Sequence, residues 1–219
     1  MIKAIFFDQD NTLVNTREVS GETYRAAINW VAAYKKISAE KLFLDWRGVL
    51  DTLKNSKNPE ERKFTYSLAL VVPEKDLVED AVEIQKKVLG EKIELNPGVK
   101  DFFEAKKNEG VKYILSTEDN DELIQVKMSK FGLMDKFDLI LGSSLVGLMK
   151  PDIKFLEIAW KKFNLKPEEC LYIGDSYEKD CQIGQENGGK TVIFGKKDSR
   201  ADFQMTDFGQ LAGILKSLE

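Results

Sequence analysis

Short apolar runs alternate with segments of helical periodicity over most of this sequence, and no other feature limits the fold as strongly. The apolar runs occupy residues 2–7, 111–115, 138–141, 170–173 and 191–194. Apolar residues follow helical spacing at 123–131, at 153–163, after Lys179 and at 208–218. Strands that alternate with helices form βαβ units, so the sequence predicts a mostly parallel sheet with helices on both faces.

The stretch from residue 17 to residue 94 interrupts this alternation. Its apolar residues recur with helical spacing around 24–31, 46–53 and 77–88, and no convincing strand is present. The tripeptide Asn96-Pro97-Gly98 then predicts a turn back into the α/β pattern. We therefore predict a Rossmann-like, doubly wound parallel sheet formed by residues 1–16 and 95–219, with an all-helical domain inserted at 17–94.

The composition of the 219 residues excludes several kinds of chemistry. The sequence contains no histidine, which rules out Ser-His-Asp and Cys-His catalysis and histidine-ligated metals. Its two cysteines are too few for a disulfide framework or a cysteine zinc site. Any catalysis must therefore depend on carboxylates, hydroxyls, lysines or a hard metal ion.

Charge and hydropathy lead to expectations about location and partners. The 33 basic and 37 acidic side chains leave a net charge of −4, which gives no general footprint for nucleic acid. No apolar run approaches the roughly 18 residues of a membrane span. Asp8 and Asp10 also interrupt the N-terminal apolar run where a signal peptide would continue. We expect a cytoplasmic protein with neither a nucleic-acid nor a membrane partner, and the sequence leaves the oligomeric state open.

The first apolar run ends in two acids, Asp8 and Asp10, followed by Thr12. If the chain stays extended, residues two apart project to the same side, so the two carboxylates can converge on one site. The carboxyl ends of parallel strands are where open α/β sheets bind ligands. A simple polar transition from strand to loop would also explain these acids, but their place directly after an N-terminal strand favours a functional role.

Two later strand ends also carry polar groups. The run at 111–115 ends in Ser116 and Thr117, whose hydroxyls can hydrogen-bond a phosphate or cap the following helix. The run at 170–173 ends in Gly174-Asp175, and Asp180 follows five residues later. An acid in this position suits a metal ion or its support, although a glycine turn with an N-capping residue would explain it too.

A lysine precedes the helical segment that begins near residue 153. Lys150 is followed by Pro151, and proline suits a first helical turn, so we expect Lys150 just before a helix N-terminus. A cation is disfavoured at that end of the helix dipole unless an anion is also present. Taken alone, Lys150 would be assigned to the solvated surface.

Together these four segments resemble the haloacid dehalogenase-like hydrolase superfamily. Asp8-x-Asp10-x-Thr12 is similar to its first motif, and the Ser116/Thr117 strand end is similar to its second. Lys150 and the stretch from Gly174-Asp175 to Asp180 resemble the third and fourth motifs, in the same order along the chain. The resemblance implies that residues 17–94 form a helical cap of the first type.

The resemblance also implies a metal ion and a reaction. Mg²⁺ would be held by the carboxylates of Asp8 and Asp175 and the backbone carbonyl of Asp10, with Asp180 supporting these ligands. Asp8 would be the nucleophile that forms an aspartyl-phosphate, and Asp10 would be the general acid and base. Lys150 would hold the phosphoryl group.

The phosphoryl group would also be held by the hydroxyl of the second motif. We assign it to Thr117, since Ser116 lies one position out of phase, but the sequence leaves the choice open. Glu118 and Asp119 are acids where an uncharged residue often follows this hydroxyl, and their role is open too. Gln9 and Asn11 stand where many members of the family have leucine and glycine.

The presence or absence of the second acid, here Asp10, distinguishes the branches of this family. Members that cleave carbon–halogen bonds typically lack the second acid, because their leaving group needs no proton, and the phosphonate-cleaving branch lacks it as well. The expected activity is therefore Mg²⁺-dependent hydrolysis of the phosphomonoester of a small metabolite. A sugar-phosphate mutase and a catalytically silent phosphate-binding module remain as alternatives, and a purely structural interaction protein is less favoured.

The identity of the substrate depends mostly on the inserted helices, where the sequence is least informative. Four side chains of that segment are candidate contacts: Arg17, Arg25, Trp46 and Arg47. Surface arginines and a core tryptophan are the simpler explanation for each of them. A cap that closes over the site would exclude water and favour small substrates over folded phosphoproteins.

Overall fold

The structure is a computed structural model that describes residues 1–105 and 110–218. The chain divides into two units, one formed by Met1–Thr16 with Glu94–Glu219 and the other by Arg17–Ile93. We call them the sheet unit and the helical unit. The assignment of the sheet unit as a hydrolase core and of the helical unit as its cap stays a prediction.

The described residues of the sheet unit form six strands that are all parallel to their neighbours. Their order across the sheet is β3-β2-β1-β4-β5-β6. The strands are β1 (Ala4–Phe7), β2 (Lys112–Thr117), β3 (Leu139–Gly142), β4 (Cys170–Gly174), β5 (Lys190–Phe194) and β6 (Phe203–Met205). The strand order reverses between β1 and β4, and the crevice at such a switch point is where doubly wound sheets bind ligands.

Both faces of the sheet are covered, as the alternation of strands and helices predicted. Phe6 of β1 packs on one face against Tyr172 and against Phe155 and Trp160 of a flanking helix. Phe7 points to the other face, where its ring lies 5.5 Å from the ring of Phe103. The predicted fold class, a Rossmann-like parallel sheet with an inserted helical segment, is confirmed.

In the part of the sheet unit that the structure describes, six α-helices flank or connect the strands. They are α5 (Val99–Glu104), α6 (Asp121–Lys130), α7 (Ser143–Val146), α8 (Ile153–Phe163), α9 (Gln182–Glu186) and α10 (Leu211–Ser217). The helical segments expected at 153–163 and 208–218 are present, the second beginning with a 3-10 turn over Phe208–Gln210.

The structure corrects two details of the sequence analysis. The short edge strand β6 was not predicted, because three residues at a sheet edge produce no clear apolar run. Pro151 does not lie in the first turn of a helix. Asp152 is the N-cap of α8 and its side chain accepts the N–H of Lys154 at 2.9 Å, so the helix begins at Ile153.

The helical unit consists of four α-helices with their own core. They are α1 (Ser20–Lys35), α2 (Ala39–Leu53), α3 (Phe64–Ala69) and α4 (Lys75–Lys92). Trp46 is buried near the centre of this core, and its indole N–H donates to the hydroxyl of Ser67 at 3.0 Å. The absence of strands in the described part of this unit agrees with the helical periodicity of its sequence.

Candidate active site

Three neighbouring strands bring their polar ends together at one edge of the sheet. In the β1 register, Phe7 lies between Leu115 of β2 and Ile173 of β4. The residues that follow these positions are Asp8, Ser116 and Gly174, so parallel pairing alone places the first, second and fourth sequence motifs side by side. This edge includes the switch point between β1 and β4.

Asp8 is buried and held on both carboxylate oxygens. Its Oδ1 accepts a hydrogen bond from Lys150 Nζ at 2.7 Å, and its Oδ2 accepts one from the Thr12 hydroxyl at 2.9 Å. Its backbone N–H donates to the carbonyl of Ile173, which continues the pairing of β1 with β4. Burial and the nearby carboxylate of Asp180 raise the pKa of Asp8 above its ordinary range, while the ammonium of Lys150 opposes that rise.

Lys150 comes from the segment between α7 and α8, and its side chain is only 4% exposed. Its Nζ donates to Asp8, to the carboxylate of Asp180 at 2.5 Å and to the backbone carbonyl of Ser116 at 3.0 Å. Burial alone would lower the pKa of Lys150, but Asp180 and Asp8 raise it by more, so the ammonium stays charged. Lys150 is thus part of the buried cluster and not of the solvated surface.

The fourth motif turns tightly after β4. A single π-helical turn, Tyr177–Cys181, brings the carboxylate of Asp180 back over Gly174, and that carboxylate accepts the backbone N–H of Ser176 at 3.0 Å. A Cβ atom on Gly174 would collide with the Asp180 side chain, which explains the need for glycine. Wide turns of this kind occur often at functional sites.

The side chains at this edge suit a divalent cation. Carboxylate oxygens of Asp8, Asp175 and Asp180 all lie within 4.8 Å of one another. With all three carboxylates ionised, the cluster and the one ammonium of Lys150 would carry two negative charges in total, which a divalent cation would balance. Oxygen donors are what hard cations such as Mg²⁺ prefer. Asp180 therefore belongs to the same acidic cluster as Asp8 and Asp175, and its supporting role toward the metal stays a prediction.

The second motif has the hydroxyl of Thr117 buried beside β1. Thr117 Oγ1 accepts the backbone N–H of Asp119 at 3.1 Å, and its own hydrogen is still available to donate. Neither hydroxyl caps the next helix, because the N-cap of α6 is Asn120, whose side chain accepts the N–H of Leu123 at 2.9 Å. The contribution of Ser116 seen here is its carbonyl, which accepts from Lys150.

Both acids that follow this hydroxyl are paired with lysines. Glu118 forms an ion pair with Lys179 of the π-helical turn. The carboxylate of Asp119 lies 2.5 Å from Lys127 Nζ, and the side-chain N–H of Gln9 donates to the same oxygen at 2.5 Å. Burial and the carboxylate of Asp10 raise the pKa of Asp119, whereas Lys127 and Gln9 oppose the rise.

Asp10 does not converge on the Asp8 cluster as an extended strand predicted. The chain leaves the sheet after β1, Asn11 adopts a left-handed conformation with φ of 61°, and the Asp10 carboxylate turns toward α6. Asp10 Oδ1 lies 2.6 Å from Lys127 Nζ, and its side chain is 37% exposed. Asp10 and Asp8 thus form two adjacent clusters at the same edge of the sheet.

Lys127, which connects these groups, was not predicted from the sequence. The residue lies on the apolar face of α6 together with Ile124 and Met128, and it is buried with them. A lysine at a helical-period apolar position was the available signal. Such lysines often bury their methylene chain and extend the ammonium to solvent, so the spacing alone did not indicate a buried charge.

Two of the four candidate substrate contacts in the helical unit have structural roles there. Trp46 belongs to the core, and Arg25 lies over the ring of Phe43, 3.9 Å from its centroid, with Glu40 as an ion-pair partner at 3.4 Å. Arg17 and Arg47 are exposed.

None of the four helices of the described helical unit, nor any described helix of the sheet unit, is long and apolar enough to cross a membrane.

Comparison with known proteins decides the family. A sequence model described as haloacid dehalogenase-like hydrolase matches residues 2–188, which includes all four motifs. The chain belongs to the haloacid dehalogenase-like hydrolases. The family is therefore the one that the four motifs resembled, and the chain is a hydrolase.

Individual relatives match almost the whole chain. A glyceraldehyde 3-phosphate phosphatase of Pyrococcus furiosus is 26% identical, and the match covers 98% of this chain and 93% of the relative. Among solved structures, a HAD phosphatase from Thermococcus onnurineus has a TM-score of 0.78 at 18% identity, with 98% of each chain covered. A 2-haloacid dehalogenase from Pseudomonas syringae has a TM-score of 0.77 at 19% identity and full coverage of both chains. The two structures share the fold with this chain.

Proposed function

We propose that this hydrolase is a Mg²⁺-dependent phosphatase that cleaves a phosphomonoester of a small metabolite through an aspartyl-phosphate. The observation that carries the proposal is the buried Asp8 carboxylate, bound to Lys150 and grouped with Asp175 and Asp180 at the switch point of the sheet. The similarity to an enzyme described as a glyceraldehyde 3-phosphate phosphatase supports a small phosphorylated substrate.

Charge explains the arrangement around Asp8. A carboxylate that attacks a phosphate monoester brings two anions together, so cations must offset their repulsion. Lys150 supplies one positive charge 2.7 Å from the attacking carboxylate. In the proposed reaction an oxygen of Asp8 bonds to phosphorus while the bond from phosphorus to the alcohol oxygen breaks. Lys150 and the hydroxyl of Thr117 hold the phosphoryl oxygens.

The acidic cluster is the proposed metal site. Asp8 and Asp175 would hold Mg²⁺ through their carboxylates and Asp10 through its backbone carbonyl, with the nearby carboxylate of Asp180 adding negative charge. When bound, the ion supplies charge neutralisation at the transferring oxygens. Together with Lys150 it would also favour the ionised Asp8 that attack requires, against the burial that raises the pKa of this carboxyl.

Asp10 favours ester hydrolysis over dehalogenation. The leaving group of a phosphate ester is an alkoxide that needs a proton, whereas a halide needs none. In the proposed reaction, protonated Asp10 gives its proton to the alcohol oxygen and then takes one from the water that attacks the phosphorus of the intermediate. Water supplies the oxygen that completes inorganic phosphate, and Asp8 is regenerated.

The proposal is tested by phosphate release from a panel of phosphorylated metabolites, with Mg²⁺ and with a chelator in its place. The panel includes glyceraldehyde 3-phosphate, other sugar phosphates and an aryl phosphate. We expect Mg²⁺-dependent turnover that the matched variant Asp8→Asn abolishes. A folded, Mg²⁺-loaded protein that releases no phosphate from any ester would contradict the proposal, and conversion of a sugar phosphate to its isomer without phosphate release would show a mutase instead.

A further inference from the structure

A buried lysine holds the carboxylate assigned to acid–base chemistry. Lys127 Nζ lies 2.6 Å from Asp10 Oδ1 and 2.5 Å from an oxygen of Asp119, and its side chain is 4% exposed. It takes no part in the expected family motifs, and it contacts none of the three carboxylates of the acidic cluster through a described hydrogen bond. The four residues Gln9, Asp10, Asp119 and Lys127 form what we call the Asp10 cluster.

The placement of Lys127 has a cost that calls for an explanation. Lysines are almost never fully buried unless they are paired, because the ammonium loses its hydration. The position lies on the apolar face of α6, where Ile124 and Met128 are also buried, so an apolar side chain would fit the helix pattern at this point. The helix instead has a charged residue here, and its ammonium is paired with the carboxylates of Asp10 and Asp119.

The cluster is built so that the ammonium of Lys127 has little freedom. Asp119 is the second carboxylate that binds Lys127, and the side-chain N–H of Gln9 donates to the same Asp119 oxygen. The backbone N–H of Asp119 donates to Thr117 at the end of β2, which ties the loop to the sheet. Asp119 therefore holds the ammonium of Lys127 in place, and the contact of that ammonium with Asp10 fixes the Asp10 carboxylate in turn.

We propose that Lys127 is a positioning residue for Asp10, and that Asp119 and Gln9 hold Lys127 in place. The inference rests on the proposed function, in which Asp10 passes a proton to the leaving group. Lys127 donates to Oδ1 of Asp10, and in the proposed reaction the other oxygen, Oδ2, passes the proton. It leaves Oδ2 for the oxygen of the departing alcohol, and Oδ2 then takes a proton from the attacking water.

The Asp10 cluster also accounts for two departures from the family pattern. Gln9 stands where many members have leucine, and Asp119 stands where an uncharged residue often follows the second motif. In this chain the two side chains bind each other and the buried lysine. Gln9, Asp119 and Lys127 are therefore joined by side-chain hydrogen bonds in this chain.

The test compares two esters that differ in their need for an acid. Alkyl phosphates release an alkoxide that must be protonated, whereas para-nitrophenyl phosphate releases a stable phenolate. The quantity measured is kcat/KM, which reports the steps up to phosphoryl transfer and does not include later hydrolysis of the intermediate. For Lys127→Met we expect a loss of roughly a hundredfold on the alkyl ester, the lower end of what a general acid contributes, and a much smaller loss on the aryl ester.

Three further variants serve as controls. Lys127→Arg keeps the cation and should restore most of the activity on the alkyl ester. Lys127→Met combined with Asp119→Asn removes both charges of the pair, so no lone buried charge remains, and it should show the same dependence on the leaving group if the single variant fails to fold. Lys130→Met changes an exposed lysine of the same helix and should leave both rates unchanged.

The outcomes separate this inference from the proposed function. If the wild-type protein hydrolyses neither ester, the proposed function fails, and the inference fails with it. If the wild type is active and folded Lys127 variants lose equal factors on both esters, or lose nothing on either, Lys127 does not position Asp10. A loss confined to the alkyl ester and relieved by Lys127→Arg would support the positioning role.

Discussion

The loop after β1 turns sharply directly after the two acids of the first motif. Asn11 has a φ of 61°, a conformation that costs most residues with a Cβ atom about 1–2 kcal/mol, and asparagine is among the few that adopt it readily. The turn at this residue directly follows Asp8 and Asp10, whose carboxylates bind two different lysines. The asparagine therefore supplies the left-handed conformation that this turn requires.

The first prediction concerns this left-handed residue. Asn11→Ala should lower the free energy of unfolding by about 1 kcal/mol, because alanine lacks the local polar contacts that let asparagine occupy this region. The measurement is urea unfolding of the purified protein. Asn11→Gly is the matched control, since it also removes the side chain but accepts the positive φ, and it should be close to the wild type. Equal destabilisation by both variants would attribute the loss to the side chain instead of the backbone.

For single residues, the sequence predicted most of the side chains that meet at the site but not all of the contacts between them. Asp8, Lys150 and Asp175 were named from strand ends and motif order. Parallel pairing brings the segments of Asp8 and Asp175 to one edge, and Lys150 reaches Asp8 from the segment between α7 and α8. The pairing of Asp119 and Asp10 with Lys127 was not predicted. Those contacts depend on where α6 packs against the first strand's loop, a tertiary relation that no local pattern encodes.

At the scale of elements, the turn after β4 is tightly packed against the end of the strand. Gly174 ends the strand, and the π-helical turn Tyr177–Cys181 folds the Asp180 side chain directly over it. Asp180 in turn binds Lys150, which binds Asp8. A shift of this turn would therefore be transmitted to the attacking carboxylate.

Gly174→Ala should consequently lower kcat/KM by roughly a hundredfold, the effect typical of a displacement of about 1 Å in a catalytic group. The added methyl group would push the Asp180 side chain away and weaken its contact with Lys150. Gly213→Ala is the control, because a Cβ at that position of α10 meets nothing within 4 Å. It should keep full activity and gain about 0.4–1 kcal/mol of stability. Wild-type activity in Gly174→Ala would show that the turn tolerates the displacement.

The elements themselves were largely predictable, with exceptions that have physical causes. Long, periodic segments such as α8 were found with the right bounds, since their buried faces repeat over several turns. The strand β6 was missed because three edge residues, with alternating burial, resemble a loop in sequence. Pro151 was placed inside a helix by its general preference, but the side chain of Asp152 caps the helix one residue later.

At the scale of the whole molecule, the acidic cluster links metal binding to stability. Three carboxylates beside one ammonium are held close together by the fold, and the unfolded chain has no such arrangement. A cation that binds only the folded protein stabilises it by mass action, about 2.7 kcal/mol at a hundred times its Kd. The effect is a property of folding and does not require any substrate.

Saturating Mg²⁺ should therefore raise the Tm by about 5–10 °C in thermal unfolding, given the size of this protein. Asp175→Asn removes one carboxylate of the cluster and should abolish most of this shift. Asp135→Asn, which changes an acid in a 3-10 turn outside the acidic cluster, should keep it. If the Tm does not change with Mg²⁺, or if Mg²⁺ raises the Tm of Asp175→Asn as much as that of the wild type, the assignment of the metal site is contradicted.

The central claim is that Asp8 carries the phosphoryl group during turnover. The most direct test is to quench the protein in acid during hydrolysis and to analyse its tryptic peptide 4–17 by mass spectrometry. Asp10→Asn should increase the trapped fraction, since it removes the proposed base for hydrolysis of the intermediate. We predict one phosphoryl group on Asp8, labile to hydroxylamine as an acyl phosphate is, and none in Asp8→Asn. Active turnover with the phosphoryl group on another residue of the chain would contradict the account.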